Sequence, residues 1–265
     1  MLTLAHFSDA HLVAPLSRRG WLLNGKQALA LGNWWWRRRW RQRQDAVRDA
    51  VRAILDRRAD LALVTGDHAQ IGRAVDYEFF YEQIKPLRAA KIPVLLLRGN
   101  HDYYSSFARA YRFFDKMRAE ASLSLRWDGA PLRLNDLDII PVDGACATPA
   151  FQCWGSFPLE AQNRLRATLE KLPARAGQTR LACGHFPLRG PRGEPLPDKT
   201  GLRGAEAALA LLQDAGTQAY LCGHIHRPFT VSLPGGIPQY CAGSLTIGGT
   251  LQFFRCGGGE VTPLP

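Results

Sequence analysis

Five short apolar runs in this chain each end in a turn that carries Asp, Asn or His. "LTLAHFS" (2–8) runs into Asp9 and His11, and "DLALVTG" (60–66) into Asp67. "IPVLLLRG" (92–99) runs into Asn100, His101 and Asp102, "TRLACG" (179–184) into His185, and "QAYLCG" (218–223) into His224 and His226. Apolar runs of this length, bounded by turn residues, are buried strands rather than surface strands. A strand buried on both faces needs a covering layer on each side. Four of the five runs close on glycine (Gly66, Gly99, Gly184 and Gly223), which permits a tight turn and close backbone approach. The pattern therefore constrains the chain to buried sheets whose carboxyl ends all present polar groups in one place.

The segments between these strands supply the cover. "QDAVRDAVRAILDRR" (44–58) sets Val47, Val51, Ile54 and Leu55 on one helical face. Helices are also predicted over 76–87, 106–120, 160–172 and 204–216, and a further strand over "LDIIPVD" (137–143). The C-terminal part, with "FTVSLPGGIPQYCAGSLTI", reads as shorter strands joined by Pro-Gly turns. Strand and helix thus alternate before a mainly β end, which predicts an α/β domain with sheets inside and helices outside. The chain shows neither an internal repeat nor a linker and is expected to form a single domain over 1–265. The stretch 186–203, "FPLRGPRGEPLPDKTGLR", is too long for a simple connection and reads as a functional loop.

Carboxylates, imidazoles and one amide oxygen at five strand ends make a metal ligand set. Mixed oxygen and nitrogen donors suit Mn, Fe, Zn or Co better than Ca or Mg, and no thiol is placed to select a softer site. Asp9, His11, Asp67, Asn100, His185, His224 and His226 are too many donors for one ion and suit two ions sharing a carboxylate. Each block alone is compatible with an ordinary polar turn; five in order, each ending a strand, are not readily explained that way. His6, inside the first strand, reads as a core or supporting residue, and His68 as a supporting or exposed one. Cys183 and Cys222 read as small buried hydrophobes.

The blocks "DAH", "GDH", "GNHD", "GHF" and "GHIH" together resemble the calcineurin-like metallophosphoesterase superfamily, whose motifs they match over residues 9–226. The resemblance implies a four-layer α/β/β/α sandwich with the site above the central sheets. It implies one metal on Asp9, His11, Asp67 and His226, and another on Asp67, Asn100, His185 and His224, with Asp67 bridging. It implies hydrolysis of a phosphodiester or pyrophosphate bond by a hydroxide bridging two divalent ions, with Mn the first expectation and Fe, Zn or Co as alternatives. His101 would then protonate the leaving oxygen or stabilise developing charge, and Asp102 would fix its tautomer. A cyclic-nucleotide or nucleic-acid phosphodiesterase is the alternative activity. A non-catalytic binding scaffold, as in the retromer subunit of this fold, is the alternative of another class; the presence of every ligand and of His101 argues against it.

Composition enters through one segment. The chain has 28 Arg and 6 Lys among its 34 cations and a net charge of +11, which favours acidic partners. High genomic GC content would also raise the Arg share. Eight of the cations and five of the seven tryptophans fall in "PLSRRGWLLNGKQALALGNWWWRRRWRQR" (15–43), which has no Asp or Glu. Trp36 and Trp40 share a helical face, but Trp34 and Trp35 cannot both join it, so a core stripe is a poor explanation. Three readings follow: a helical hairpin covering the domain's own edge through Arg–Trp stacking, an interfacial element on anionic membrane, or a nucleic-acid contact. A similar insert, with Lys, Asn and paired Arg after D-x-H, occurs in a bacterial subgroup of the family. Some enzymes resembling that subgroup hydrolyse UDP-2,3-diacylglucosamine, which points to a lipid-linked or nucleotide substrate. No leader peptide is evident before the first strand, no run is long enough to span a bilayer, and the six cysteines show no CxxC or regular framework. A cytoplasmic, reducing location, with peripheral contact at the inner membrane face, is the expectation.

Overall fold

The parity of each strand decides the layering. In β1 (Leu2–Phe7), β2 (Leu61–Val64) and β3 (Val94–Leu96), alternate residues face opposite ways. Leu4, Leu61, Leu63 and Leu95 join one buried cluster, while Ala5, Phe7, Ala62, Val64, Val94 and Leu96 join another. Both faces are apolar, so both must be covered. The computed structural model, which describes residues 1–15, 25–103, 113–125, 127–149 and 152–265, shows how.

The three strands run parallel in a five-stranded sheet completed by antiparallel β12 (Gln252–Gly257) and β13 (Glu260–Leu264), in the order β13-β12-β1-β2-β3. A six-stranded sheet holds β4 (Leu132–Leu134), β5 (Leu137–Val142), β7 (Thr179–Gly184), β9 (Ala219–Cys222), β10 (Phe229–Ser232) and β11 (Pro238–Cys241), in the order β10-β11-β9-β7-β5-β4. Its central strands β5, β7, β9 and β11 are parallel. A small third pair joins β6 (Gly155–Ser156) to β8 (Leu202–Arg203).

The two large sheets face each other across Leu4, Leu61, Leu63, Leu95, Leu137, Ile139, Leu181 and Leu221. The outer face of the first sheet packs on α2 (Ala46–Asp56), α3 (Ala74–Ala89) and α4 (Phe113–Ala121) through Val47, Val51, Ile54, Tyr77, Phe80, Phe114 and Met117. The outer face of the second packs on α5 (Leu159–Glu170) and α6 (Ala205–Asp214) through Leu165, Leu209 and Leu212. This is the four-layer α/β/β/α sandwich that the motif resemblance implies, with the sheets inside and helices outside that the strand pattern predicts. The predicted strands fall within a residue or three of the observed ones at each end. The helix expected over 106–120 is described only from Phe113, its start lying outside the described residues. The helix expected over 76–87 begins two residues earlier, where the Arg73 guanidinium grips the Asp76 carboxylate (Nε–Oδ2 3.0 Å) at its first turn.

The described part of the insert runs through α1 (Gly25–Asn33) into a π-helical turn over Trp34–Arg38, closed by Arg39 N–H donating to the Trp34 carbonyl (2.9 Å). Its residues 16–24, with Trp21, lie outside the described residues. All six cysteines are free thiols. No helix among the described residues is long and apolar enough to cross a membrane.

The layer between the sheets should carry much of the stability. Leu63 is fully buried there, so Leu63→Ala should lower unfolding free energy by about 2–5 kcal/mol. Leu159, 68% exposed, should tolerate Ala within about 0.5 kcal/mol. Urea midpoints of the two variants check the contrast.

Candidate metal centre

Beyond the ends of β1 and β2 the backbones stay side by side. Asp9 N–H donates to Gly66 O (3.1 Å), His11 N–H to Asp67 O (2.9 Å) and Leu12 N–H to His68 O (3.0 Å). To keep this pairing while turning side chains inward, Asp9, His11 and Asp67 take left-handed backbone conformations (φ 53°, 46° and 54°), as does His224 (φ 67°). Each costs roughly 1–2 kcal/mol for an L-residue, a strain the surrounding hydrogen bonds must hold. Gly99 and Gly223 make room for this geometry. A Cβ on Gly99 would strike the Asp67 carboxylate, and one on Gly223 would strike Ser8 and Asp9.

Each carboxylate is held by one oxygen and aimed with the other. Asp9 Oδ2 accepts the His224 N–H (2.8 Å), and Asp67 Oδ1 accepts the His101 N–H (2.8 Å). Asp9 Oδ1 then faces His11 Nε2 (3.4 Å) and His226 Nε2 (3.3 Å), buried and without a hydrogen-bond partner. Asp67 Oδ2 faces His11 Nε2 (3.6 Å) on one side and His185 Nε2 (3.4 Å) on the other. The second side is completed by Asn100 Oδ1, 3.1 Å from His185 Nε2 and 3.0 Å from His224 Nδ1, with the two ring nitrogens 3.2 Å apart. His11 and His226 bring their Nε2 atoms within 2.8 Å. The structure thus brings the seven sequence-predicted donors into two groups of four that meet at Asp67.

Backbone carbonyls set the rings. His185 Nδ1 lies 2.8 Å from Thr65 O, and His224 Nε2 lies 2.7 Å from Thr200 O, so each ring donates there and turns its other nitrogen inward. Thr200 belongs to the long loop 186–203, which gives that loop a part in the site. His101 Nδ1 donates to Gln70 O (2.6 Å). A nitrogen of His101 also lies within 4.8 Å of donor atoms of His11 and Asp67.

Here the expectation for Asp102 is corrected. Its Oδ1 is buried without a hydrogen-bond partner, so it makes no bond to the His101 ring. Asp102 Oδ2 accepts Gly99 N–H (2.8 Å), Asp67 N–H (3.0 Å) and His68 Nδ1 (3.0 Å). It ties two motif loops together, and the Gln70 carbonyl orients His101. Sequence adjacency misleads because residues 101–103 form a 3₁₀ turn, in which consecutive side chains diverge. His68 is buried, not exposed, edge-on against Phe80. His6 is buried as expected, between Gln252 Oε1 (3.0 Å) and Thr65 Oγ1 (2.9 Å).

The donor set fits two metal ions. Bonds of about 2.0–2.2 Å place neighbouring ligands roughly 3.0–3.6 Å apart in tetrahedral or octahedral shells, and the inward donors span 2.8–3.6 Å. The orphaned Asp9 Oδ1 points into the first group. Thiols stay out: Cys183 and Cys222 are buried on β7 and β9, and burial pushes both above the usual thiol range.

The electrostatics agree. Burial would raise Asp67, but the charges on His185 and His101 hold it well below the usual carboxylate range. Burial would lower His185, but Asp67 and Asp9 outweigh it and lift the ring to about 10. Burial and the His185 charge push His224 down to about 4. Without metal, one proton on His185 therefore partly balances the carboxylates.

Residues 2–228 match the calcineurin-like phosphoesterase family, and the chain belongs to it. It is 28% identical over 173 residues to a probable glycerophosphodiester phosphodiesterase, GpdQ, of Arcobacter nitrofigilis; the match covers 64% of this chain and spans 58% of that relative's length. Among solved structures it resembles a dimetal phosphatase from Danio rerio (TM-score 0.65, 14% identity, 99% and 98% of the two chains). It also resembles TT1561 of Thermus thermophilus (TM-score 0.59, 13% identity, 95% and 93%) and GAP50, the anchor in the inner membrane complex of Plasmodium (TM-score 0.56, 12% identity, 96% and 80%). At these identities the likenesses show a shared fold.

Metal loading of the metal-free protein at pH 7 should release about one proton from His185, since His224 is already neutral. As pH rises toward 10 this competition fades, so apparent metal affinity should climb about tenfold per pH unit. Titration calorimetry in two buffers of different ionisation enthalpy measures the release; no proton release would contradict the His185–Asp67 charge pair.

Proposed function

We propose that this chain is a metal-dependent phosphoric ester hydrolase that cleaves a phosphodiester or pyrophosphate bond. The observation that carries the reading is the pair of donor groups meeting at Asp67 Oδ2, between His11 and His185. In this reading Asp9, His11, Asp67 and His226 hold one divalent ion, and Asp67, Asn100, His185 and His224 hold the other. Two such ions supply Lewis acidity to the phosphoryl oxygens and lower the pKa of water. Mixed oxygen and nitrogen donors with no thiol among them suit Mn, Fe, Zn and Co alike, and Mn is the first of these we propose.

The protein's own groups then act as follows. The backbone N–H groups of His224 and His101 keep Asp9 and Asp67 from swinging. Thr65 and Thr200 keep His185 and His224 in one tautomer. With Nδ1 donating to Gln70, His101 exchanges protons through Nε2 and delivers one to the departing oxygen. Asp102 supports the Asp67 and Gly99 turns rather than the proton transfer.

The GpdQ likeness supports a diester substrate, and the insert supports one that is lipid-linked or carries a nucleotide diphosphate, such as UDP-2,3-diacylglucosamine. A specific observation favours the amphipathic class. Trp36, Trp40, Leu29 and Trp35 are 82%, 76%, 59% and 42% exposed. Arg39 stacks between Trp35 (3.9 Å) and Trp40 (4.0 Å), presenting charge and ring together. Such a surface suits the interface of an anionic membrane, placing the enzyme peripherally at a cytoplasmic face. The edge-covering reading keeps the inner side of the segment: Trp34 is half-buried and donates to Gln42 Oε1 (2.6 Å). The nucleic-acid reading gains no contact of its own. The scaffold alternative, a role for which the fold of the Plasmodium anchor is a reminder, is disfavoured by a complete donor set.

Asp67→Asn should weaken both ions together, because one side chain serves both groups. Wild-type content of two ions in that variant, measured by elemental analysis, would refute the shared ligand. His101→Ala should keep its metal and lose roughly 10²–10⁴-fold in turnover of bis-p-nitrophenyl phosphate with Mn, more for poorer leaving groups. A substrate panel including glycerophosphodiesters and UDP-2,3-diacylglucosamine decides between the substrate classes.

Trp36→Ser with Trp40→Ser should reduce sedimentation with anionic liposomes while changing turnover of a small soluble diester less than about twofold. Unchanged liposome binding by the folded double variant would remove the membrane reading.

A further inference from the structure

The insert reaches the site through hydrogen bonds that meet at Gln70, by its side chain on one side and its backbone carbonyl on the other. Trp34 Nε1 donates to Gln42 Oε1 (2.6 Å), Gln42 Nε2 to Gln70 Oε1 (3.3 Å), and the Gln70 carbonyl receives His101 Nδ1 (2.6 Å). Gln27, from α1, donates through Nε2 to the Ile71 carbonyl (3.0 Å). On the far side, Gln70 N–H donates to Leu12 O (3.0 Å). The Gln70–Ile71 peptide, whose carbonyl orients His101, is therefore gripped by the insert at the Gln70 side chain and at the next carbonyl. Gln27, Gln42 and Gln70 are 2%, 7% and 3% exposed. A buried amide costs free energy unless its donors and acceptors are met, so Gln42 bonded to Gln70, with Gln27 on the next carbonyl, marks a built connection. The π-helical turn beginning at Trp34 fits the same picture, since such turns insert a residue and reset the direction of the rings that follow.

We propose that Gln42, with Gln27, is a positioning residue for His101: the Trp–Arg insert holds the Gln70–Ile71 peptide and thereby sets the direction of the His101 ring. This rests on the reading of His101 as proton donor to the leaving oxygen. It gives the inner side of the insert, Gln27 and Gln42, a part in placing His101, and leaves its outer side as a surface. Whatever engages the exposed tryptophans is then coupled, through Trp34 and Gln42, to the ring that protonates the leaving group.

The test is a double-mutant cycle in the full chain, with bis-p-nitrophenyl phosphate and a poorer alkyl leaving group as substrates. Gln42→Leu should keep metal content and KM, lower kcat about tenfold for the poor leaving group and less for the good one. In a His101→Ala background, Gln42→Leu should cost nothing further. Gln42→Glu, which can still accept from Trp34 and, with the Gln70 amide turned over, from Gln70, should recover most of the loss. A readout independent of turnover is the His101 Nδ1–H proton resonance in the metal-free protein. It should exchange with solvent faster in Gln42→Leu and at the wild-type rate in Gln42→Glu. Should Gln42→Leu fail to fold, Gln27→Leu takes its place in the cycle with the same expectations. Additive losses beside a crippled His101→Ala, or equal losses for both leaving groups, would overturn the coupling alone. A His101→Ala enzyme with wild-type turnover would overturn the reading of His101 and the coupling with it.

Discussion

Everything around the site answers to one buried carboxylate. Asp67 lies at the seam of the two sheets with 1% of its surface exposed, where an uncompensated charge would cost several kcal/mol. It is compensated from both sheets at once. The His101 N–H and the Asp102-anchored turn come from the loop after β3, His11 from the loop after β1, and His185 from the end of β7. None of these partners is close in sequence. The charge of Asp67 is tolerable only when both sheets have docked, and the docking is what brings the ring nitrogens of one sheet against the carboxylates of the other.

The same requirement explains what the sequence reveals. The strands are legible because each must be apolar on both faces in a four-layer fold. The donors are legible because a buried strand that ends in Asp, Asn or His advertises a cost that only function or a partner offsets. Gly99 and Gly223 are legible for the same reason: a side chain there would occupy the space of Asp67 or Asp9. The orienting groups are not. Thr65, Gln70 and Thr200 act through carbonyl oxygens, which every residue has, so side-chain identity carries no trace of their role. Asp102 misleads because it stands next to His101, and adjacency says nothing about direction in a 3₁₀ turn. His68 stays open between two roles in the sequence because only the packing of Phe80 and Phe114 decides that it is buried.

The insert is legible in composition and opaque in geometry. Its charge and tryptophan content name the chemistry of a surface, and the half exposure of Trp35 beside the fuller exposure of Trp36 and Trp40 agrees with one. Its glutamines carry no such signal. Gln27, between Lys26 and Ala28, and Gln42, between Arg41 and Arg43, look like ordinary polar spacers, yet they are buried and hydrogen-bonded to the Gln70–Ile71 segment. Composition describes the side of a segment that meets solvent; the side that meets the protein is set by a few directional bonds.

On the proposed ligand assignment, the order of the chain has a temporal meaning. Asp9, His11, Asp67 and Asn100 precede His185, His224 and His226 by more than eighty residues. A ribosome delivering the chain from its first residue exposes oxygen-rich half-sites well before the imidazoles that complete them. Any ion captured early would meet only part of a shell and exchange freely. Commitment waits until β7 and β9 are in place, so the choice of metal belongs to the finished polyhedron and not to the first ligand that an ion encounters.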